Sequence, residues 1–344
     1  MKRKQWRKKW FDRRSRKLQN SKYHRVKSIH SMICTDTSTD NKVVPRIHLK
    51  EYKGQAPKIF SFIENPKETI EFFADFTNEI LKKVHDKLFY IDSRFVEKVS
   101  IDVLVYIIAL TRNVKINQTM RYNFAGNLPK EDAAKRMYEE SGFLNFFNSK
   151  AKKLPQNTDK MQIVTGKTTD TELAKQMCEF VMQKLNKKRQ FTNILYKTLI
   201  ELMSNAVHHA YNKDGIMYPV WYLYAESTRE RIRFIFVDTG SGIAKTVRKN
   251  FWEKINLKSC DSDLIYSAFE GDFRTETKLT NRGHGLPAIR DYIEKKEFSD
   301  FRVLSGSGEC KLNIKGHKLE KNEYEKKING TIYVFEIENK RRAV

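Results

Sequence analysis

The chain has 344 residues, 40% of them apolar and 31% charged, with a net charge of +24. That length favours two domains with packed cores, and no apolar run is long enough to span a bilayer. The basic start lacks the apolar stretch of a secretory signal, and Cys34, Cys178, Cys260 and Cys310 form no CxxC pair, so a cytoplasmic chain with reduced thiols and no zinc or disulfide framework is expected.

Residues 1–45 read as a basic, flexible arm. Within 1–30, thirteen Lys and Arg face one acid, Asp12, so half of the net charge sits there. Trp6, Trp10 and Phe11 are interleaved with the cations. Cations neutralise phosphates and aromatics stack on bases, so a nucleic acid or another polyanion is one partner for this arm. An anionic membrane surface and a solvated tail are the other readings.

Residues 46–150 read as a small α/β domain. Ile70, Phe73, Phe76, Ile80, Leu81 and Val84 give a helical rhythm over 68–86. A strand follows at 87–91, then a helix at 99–110 that is apolar nearly all round, as beside a sheet. A second strand is expected at 120–124, a turn at Asn127-Leu128-Pro129, and a helix over 130–141. Leu88-Phe89-Tyr90-Ile91-Asp92, the 101–110 segment and Gly126-Asn127-Leu128-Pro129 resemble the STAS fold of anti-sigma-factor antagonists. That family's phosphorylated Ser or Thr follows an Ile-Asp pair. Ile101-Asp102 is followed by Val103 and Leu104, so the resemblance implies docking or dimerisation rather than a phosphoswitch.

A polar, Lys-rich stretch with Pro155 supplies a linker at 151–165, and residues 166–344 form the larger domain. Thr165-Gly166-Lys167-Thr168 imitates a P-loop, but Met161 stands where its first glycine belongs. Phe191, Ile194, Leu195, Leu199, Leu202, Met203, Ala206 and Ala210 predict an amphipathic helix over 191–211. Glu201 and Asn205, four apart, share another stripe, extended by His208 and His209. A carboxylate can orient and deprotonate a water, and an amide oxygen suits Mg²⁺; a solvated polar face fits the same pair.

Two β-branched and aromatic runs, 218–225 and 229–237, read as a hairpin ending at Asp238. An aspartate at a strand end can accept a hydrogen bond from an exocyclic amine, and Gly240 and Gly242 let backbone approach a ligand. The polar segment 251–282 reads as a lid, with Arg274, Thr275, Lys278 and Arg282 as phosphate contacts, or as an exposed loop. Gly283-His284-Gly285-Leu286 opens a helix to about 296, whose free N–H groups suit a phosphate. Strands close the chain at 301–304 and 332–337. Gly330-Thr331 opens the last, and its hydroxyl is suited to support Asp238 or a water near a base.

Each motif alone is weak. In order, Glu201-x-x-x-Asn205-Ala206, Asp238-x-Gly240-x-Gly242-Ile243, Gly283-x-Gly285-Leu286 and Gly330-Thr331 resemble the four boxes of the GHKL ATPases, which include gyrase, the heat-shock chaperone ATPase, histidine kinases and MutL. The resemblance covers about 165–340. It implies an α+β chain whose C-terminal part is a Bergerat fold, an α/β sandwich with helices on one face of a mixed sheet, preceded by the STAS-like domain. It also implies ATP and Mg²⁺, with Asn205 as the metal ligand, Glu201 as the water-orienting acid and Asp238 as the adenine contact. Gly240, Gly242, Gly283 and Gly285 become pocket and hinge glycines, and His209, Arg274, Arg282, Leu286 and Thr331 line the nucleotide.

Several activities fit that family. An ATPase or ATP-gated switch is the leading expectation. A serine/threonine kinase of the anti-sigma type needs a separate substrate. A histidine kinase needs a phosphoacceptor helix, and His85-Asp86 lacks the accompanying proline. A gyrase-like machine needs a transducer domain beyond the last strand. An interaction protein with an inactive pocket is the non-enzyme reading. A homodimer and a protein partner of the STAS-like part stay open.

Overall fold

Trp221, Tyr222, Leu223, Tyr224 and Ala225 are consecutive and all buried. Successive strand residues point to opposite faces, so a sheet running through them is covered on both sides. The computed structural model describes residues 50–82, 87–112, 123–147, 159–185, 189–210, 220–228, 230–251, 259–272, 285–295, 298–313 and 318–338. The described residues of Leu49–Phe143 and Leu154–Val344 pack as one compact unit.

The first part of the large unit contains β1 (Lys50–Gln55), β2 (Ile59–Phe60), α1 (Pro66–Leu81), β3 (Lys87–Asp92), β4 (Lys98–Val99), α2 (Ile101–Arg112), β5 (Asn123–Gly126) and α3 (Asp132–Glu140). Strands β1, β3 and β5 form a parallel sheet in that order, and β2 pairs with β4. Residues Ile101 to Thr111 of α2 are buried without a break. Full burial of one large aliphatic side chain is worth ~1.5–3 kcal/mol, and several such side chains outweigh the cost of burying Asp102. That carboxylate accepts the Phe62 N–H at 2.8 Å and the Ser100 hydroxyl. Asp102 is thus a buried anchor between α2 and the 61–63 turn.

The second part contains β6 (Val164–Gly166), α4 (Thr171–Leu185), α5 (Arg189–Ala210), β7 (Trp221–Ser227), β8 (Arg231–Asp238), α6 (Ile243–Phe251), α7 (Asp261–Glu270), α8 (Gly285–Glu294), β9 (Asp300–Ser305), β10 (Gly308–Asn313), β11 (Lys318–Glu323) and β12 (Thr331–Glu338). Seven strands form one sheet in the order β11-β10-β9-β12-β8-β7-β6. Trp221, Leu223, Ile232, Phe234, Phe236, Phe301, Tyr333 and Phe335 share one core with α4, α5, α7 and α8. The alternate set, Tyr222, Tyr224, Ile235, Val237, Ile332 and Val334, is also buried, and α2 packs against β7, β8 and β12.

The architecture is therefore mixed helix and sheet, with three differences from the sequence expectation. The large sheet was expected to be mixed, and its described strands pair antiparallel throughout. Hairpins generate β7–β8 and β9–β10–β11, and β12 returns between β9 and β8. Helices were expected on one face only. Helix α2 covers the second face because its apolar circumference has no exposed side. Within the expected 251–282 lid, Leu264, Ile265 and Phe269 are buried on α7, so part of that segment is a packed helix. Among the described residues no helix is long and apolar enough to cross a membrane, and Cys178, Cys260 and Cys310 are free thiols.

Candidate functional site

Helix α5 turns Leu195, Leu199, Leu202, Met203 and Ala206 into the core. That fixes its rotation and leaves Glu201 and Asn205, one turn apart, half-buried at the edge of the helical layer. Glu201 lies directly against Gly285, the first residue of α8. A Cβ added at Gly285 would sit 1.8 Å from Glu201 Oε1, so a larger residue here would displace the Glu201 side chain from its place. The first and third motifs, over eighty residues apart in sequence, thus meet at one point. Leu286 follows and packs against the helical side of the core.

Asp238 is the last residue of β8 and is buried. In register it stands between Trp221 of β7 and Thr331 of β12. Its Oδ1 accepts the Gly240 N–H at 2.8 Å. Burial pushes its carboxyl up to about 6, against the opposing pull of the Gly240 N–H and the Thr331 hydroxyl. The Ser305 hydroxyl lies 3.3 Å from the Thr331 hydroxyl, donates to the Gly330 carbonyl at 3.2 Å and accepts the Ile243 N–H at 2.9 Å. This network pins the strand ends β8, β9 and β12 to the start of α6.

Gly330 makes the turn into β12 with φ of +82°, and an added Cβ would meet the Asp238 carbonyl oxygen at 2.1 Å. Gly242 closes the turn after Asp238, with Ser305 and Gly330 as its neighbours. Two residues of this end escaped the sequence reading. Ser305 carries the network just described. Tyr333 is buried, and the nearby Asp238 and Glu201 charges reinforce the rise that burial gives its phenol. The alternation Thr331, Tyr333, Phe335 could have put Tyr333 on the face of Thr331, whereas nothing local marks Ser305.

Glu201, Gly285, Asp238, Gly240, Gly242 and Thr331 therefore gather at one end of the helical face of the sheet, with Asn205 on the next turn of α5. For His209 only the helical backbone is described, and His208 is exposed beside the Ser204 hydroxyl at 3.3 Å. Arg274, Thr275, Lys278, Arg282 and Gly283 lie outside the described residues, as do His85-Asp86 and the basic arm. Gly166, in the P-loop imitation, is a β6 residue against the Trp221 indole, which donates to the Thr168 carbonyl at 2.9 Å.

The donor set resembles no preformed metal cage. Among the described residues no three His, Cys, Asp or Glu side chains converge to hold a cation. The chemistry offered is a half-buried carboxylate beside a side-chain amide, and a buried carboxylate with unused acceptor capacity. A carboxylate has about four lone-pair sites. The Gly240 N–H occupies part of that capacity, which leaves an acceptor for an incoming N–H. Comparison with protein-family models gives no match to this chain. Comparison with curated proteins gives none either.

Proposed function

We propose that the chain is a Mg²⁺-dependent ATP-binding protein of GHKL type, with a Bergerat-like C-terminal part, acting as an ATPase or ATP-gated switch. The observation that carries this reading is the buried carboxylate of Asp238 at a strand end, oriented by Gly240 and Thr331, beside the contact between Glu201 and Gly285. Four motifs that share no sequence neighbourhood supply those residues. In this reading Asp238 accepts a hydrogen bond from the adenine amino group. Thr331 and Ser305 hold that carboxylate in place, and Tyr333 forms the floor between it and Glu201.

Asn205 would hold Mg²⁺ through its amide oxygen, with the remaining ligands from phosphate and water, as Mg²⁺ usually binds beside nucleotides. The bound ion would neutralise phosphate charge. Glu201 would orient a water and take its proton as the oxygen bonds to the γ-phosphorus and the bond to ADP breaks. Arg274 and Arg282 would contact phosphates from the segment between α7 and α8. The STAS-like part would serve docking or dimerisation, and the basic arm a polyanion.

The test is incubation of purified protein with γ-labelled ATP and Mg²⁺, with and without nucleic acid. Free labelled phosphate is expected. Label retained on the protein would move the reading to a kinase, and neither outcome together with no ATP binding would remove it.

A further inference from the structure

Helix α2 belongs to the first part of the chain, yet it covers the face of the large sheet opposite the candidate site. One of its side chains reaches through to the site's own turn. Tyr106 is 2% exposed. Its ring is held edge-on against Phe62 and Phe73, with centroids 5.2 and 4.8 Å away. Its hydroxyl donates to the Asn329 carbonyl at 3.1 Å and accepts the Asn329 N–H at 3.1 Å. One phenol thus serves both main-chain polar groups of a single residue. Burial raises that phenol's pKa, so it stays protonated and keeps its donor.

Asn329 immediately precedes Gly330 and Thr331. The Gly330 carbonyl accepts from Ser305, and Thr331 stands opposite Asp238 in the register of β12 with β8. The turn can lead Thr331 into register with Asp238 only if residues 329 and 330 hold their orientation, and Gly330 is in the left-handed region where little but glycine is stable. Other ties join the same two parts. Lys326 meets Asp75 at 2.6 and 2.8 Å, and Arg302 donates to the Ile63 carbonyl at 2.8 Å. The Lys326 pair is exposed, and exposed pairs contribute little. Tyr106 is the buried tie beside the site.

We infer that Tyr106 is a positioning residue for the Asp238–Thr331 end of the site, so that helix α2 of the first part governs how well that end receives its ligand. This rests on the nucleotide reading for the identity of the ligand, but not for the positioning itself. Asn329 is itself exposed, and its N–H and carbonyl meet the phenol in a part-buried contact, so loss of the phenol oxygen removes two hydrogen bonds and frees both main-chain groups of the turn to turn toward water. Phenylalanine keeps the ring and its aromatic neighbours and removes only that oxygen.

The experiment compares wild type, Tyr106→Phe and Asp75→Ala by calorimetry with Mg·ATP and by amide hydrogen exchange without ligand. Y106F is expected to weaken ATP binding about tenfold and to speed exchange at 329–331 while the β10–β11 hairpin stays protected. D75A is expected to match wild type in both. Y106F with wild-type affinity and unchanged exchange at 329–331 would overturn the inference. So would Y106F that exchanges faster throughout the fold, since Tyr106 would then serve stability alone. A wild type that binds no ATP would defeat the nucleotide reading, and the exchange comparison would then decide the positioning claim by itself.

Discussion

Replacing Asp238 with asparagine isolates the cost of keeping a carboxylate at a buried strand end. The carboxyl's ordinary value is 3.8, and burial raises it to about 6. The folded chain therefore binds this proton more tightly than the unfolded chain. Linkage then makes the sign definite: the contribution to stability is fully present below the ordinary value and is lost as pH rises through about 6. A tenfold difference in proton affinity is worth ~1.4 kcal/mol, so the roughly two decades here amount to about 3 kcal/mol. Asparagine is neutral at every pH and close in shape. Its oxygen can still accept the Gly240 N–H, and its amino group can donate to the Thr331 hydroxyl. D238N should thus gain stability over wild type between about pH 4 and pH 6 and hold a gain of roughly 1–3 kcal/mol above it, the lower figure allowing for imperfect repairing of hydrogen bonds. The same change should weaken ATP binding, because an acceptor is replaced by a donor. The assay is urea denaturation of both proteins at several values from pH 4 to pH 8. A stability difference that does not vary with pH would refute the raised carboxyl and with it the buried, charged acceptor.

Three further outcomes are expected. Glu201→Ala should leave Mg·ATP binding nearly intact and slow phosphate release by roughly 10²–10⁴-fold; a wild-type rate would remove Glu201 from the chemistry, and loss of binding would make its role structural. Gly330→Ala forces a Cβ toward the Asp238 carbonyl oxygen in left-handed backbone, so it should cost roughly 1–3 kcal/mol or more in a denaturant titration, and an unchanged midpoint would contradict the turn. Deleting residues 1–30 should abolish a steeply salt-dependent affinity for DNA, RNA or anionic liposomes while ATP affinity is unchanged; equal binding by the truncated protein would leave the arm a solvated tail.

Strong local periodicity was legible. The helices at 66–81, 101–112, 132–140 and 189–210, and the strands ending at Asp92 and Asp238, follow from apolar spacing that tertiary contacts do not need to overrule. Helix α7 was missed because its buried residues, Leu264, Ile265 and Phe269, are diluted by Asp261, Ser262 and Asp263, whose polar groups serve other purposes. Asp261 pairs with Arg248 and accepts from Ser307, and Glu323 accepts the Asp261 and Ser262 N–H groups. Such capping from a distant strand leaves no mark in the local sequence. The β10–β11 hairpin was missed for a similar reason: Lys318, Glu320, Lys321 and Glu323 make a charged edge strand, which keeps a sheet edge from pairing with other chains. The site was legible as residue types in order. That Glu201 would touch Gly285, and that Tyr333 and Ser305 would join Asp238, depends on long-range register that no spacing encodes. The all-round apolar character of 101–110 signalled burial beside a sheet, but the described residues of the unit form three sheets, and the sequence does not say which one α2 would cover.

The central claim is that the Asp238 end of the sheet receives adenine and the Asn205 side of α5 receives the metal. Calorimetry of the full chain with ATP and GTP, each with and without Mg²⁺, tests it most directly when repeated on Asn205→Ala. The account predicts that ATP binds more tightly than GTP, that Mg²⁺ strengthens ATP binding, and that N205A loses the Mg²⁺ enhancement. Equal affinity for ATP and GTP, or an undiminished Mg²⁺ effect in N205A, would contradict it.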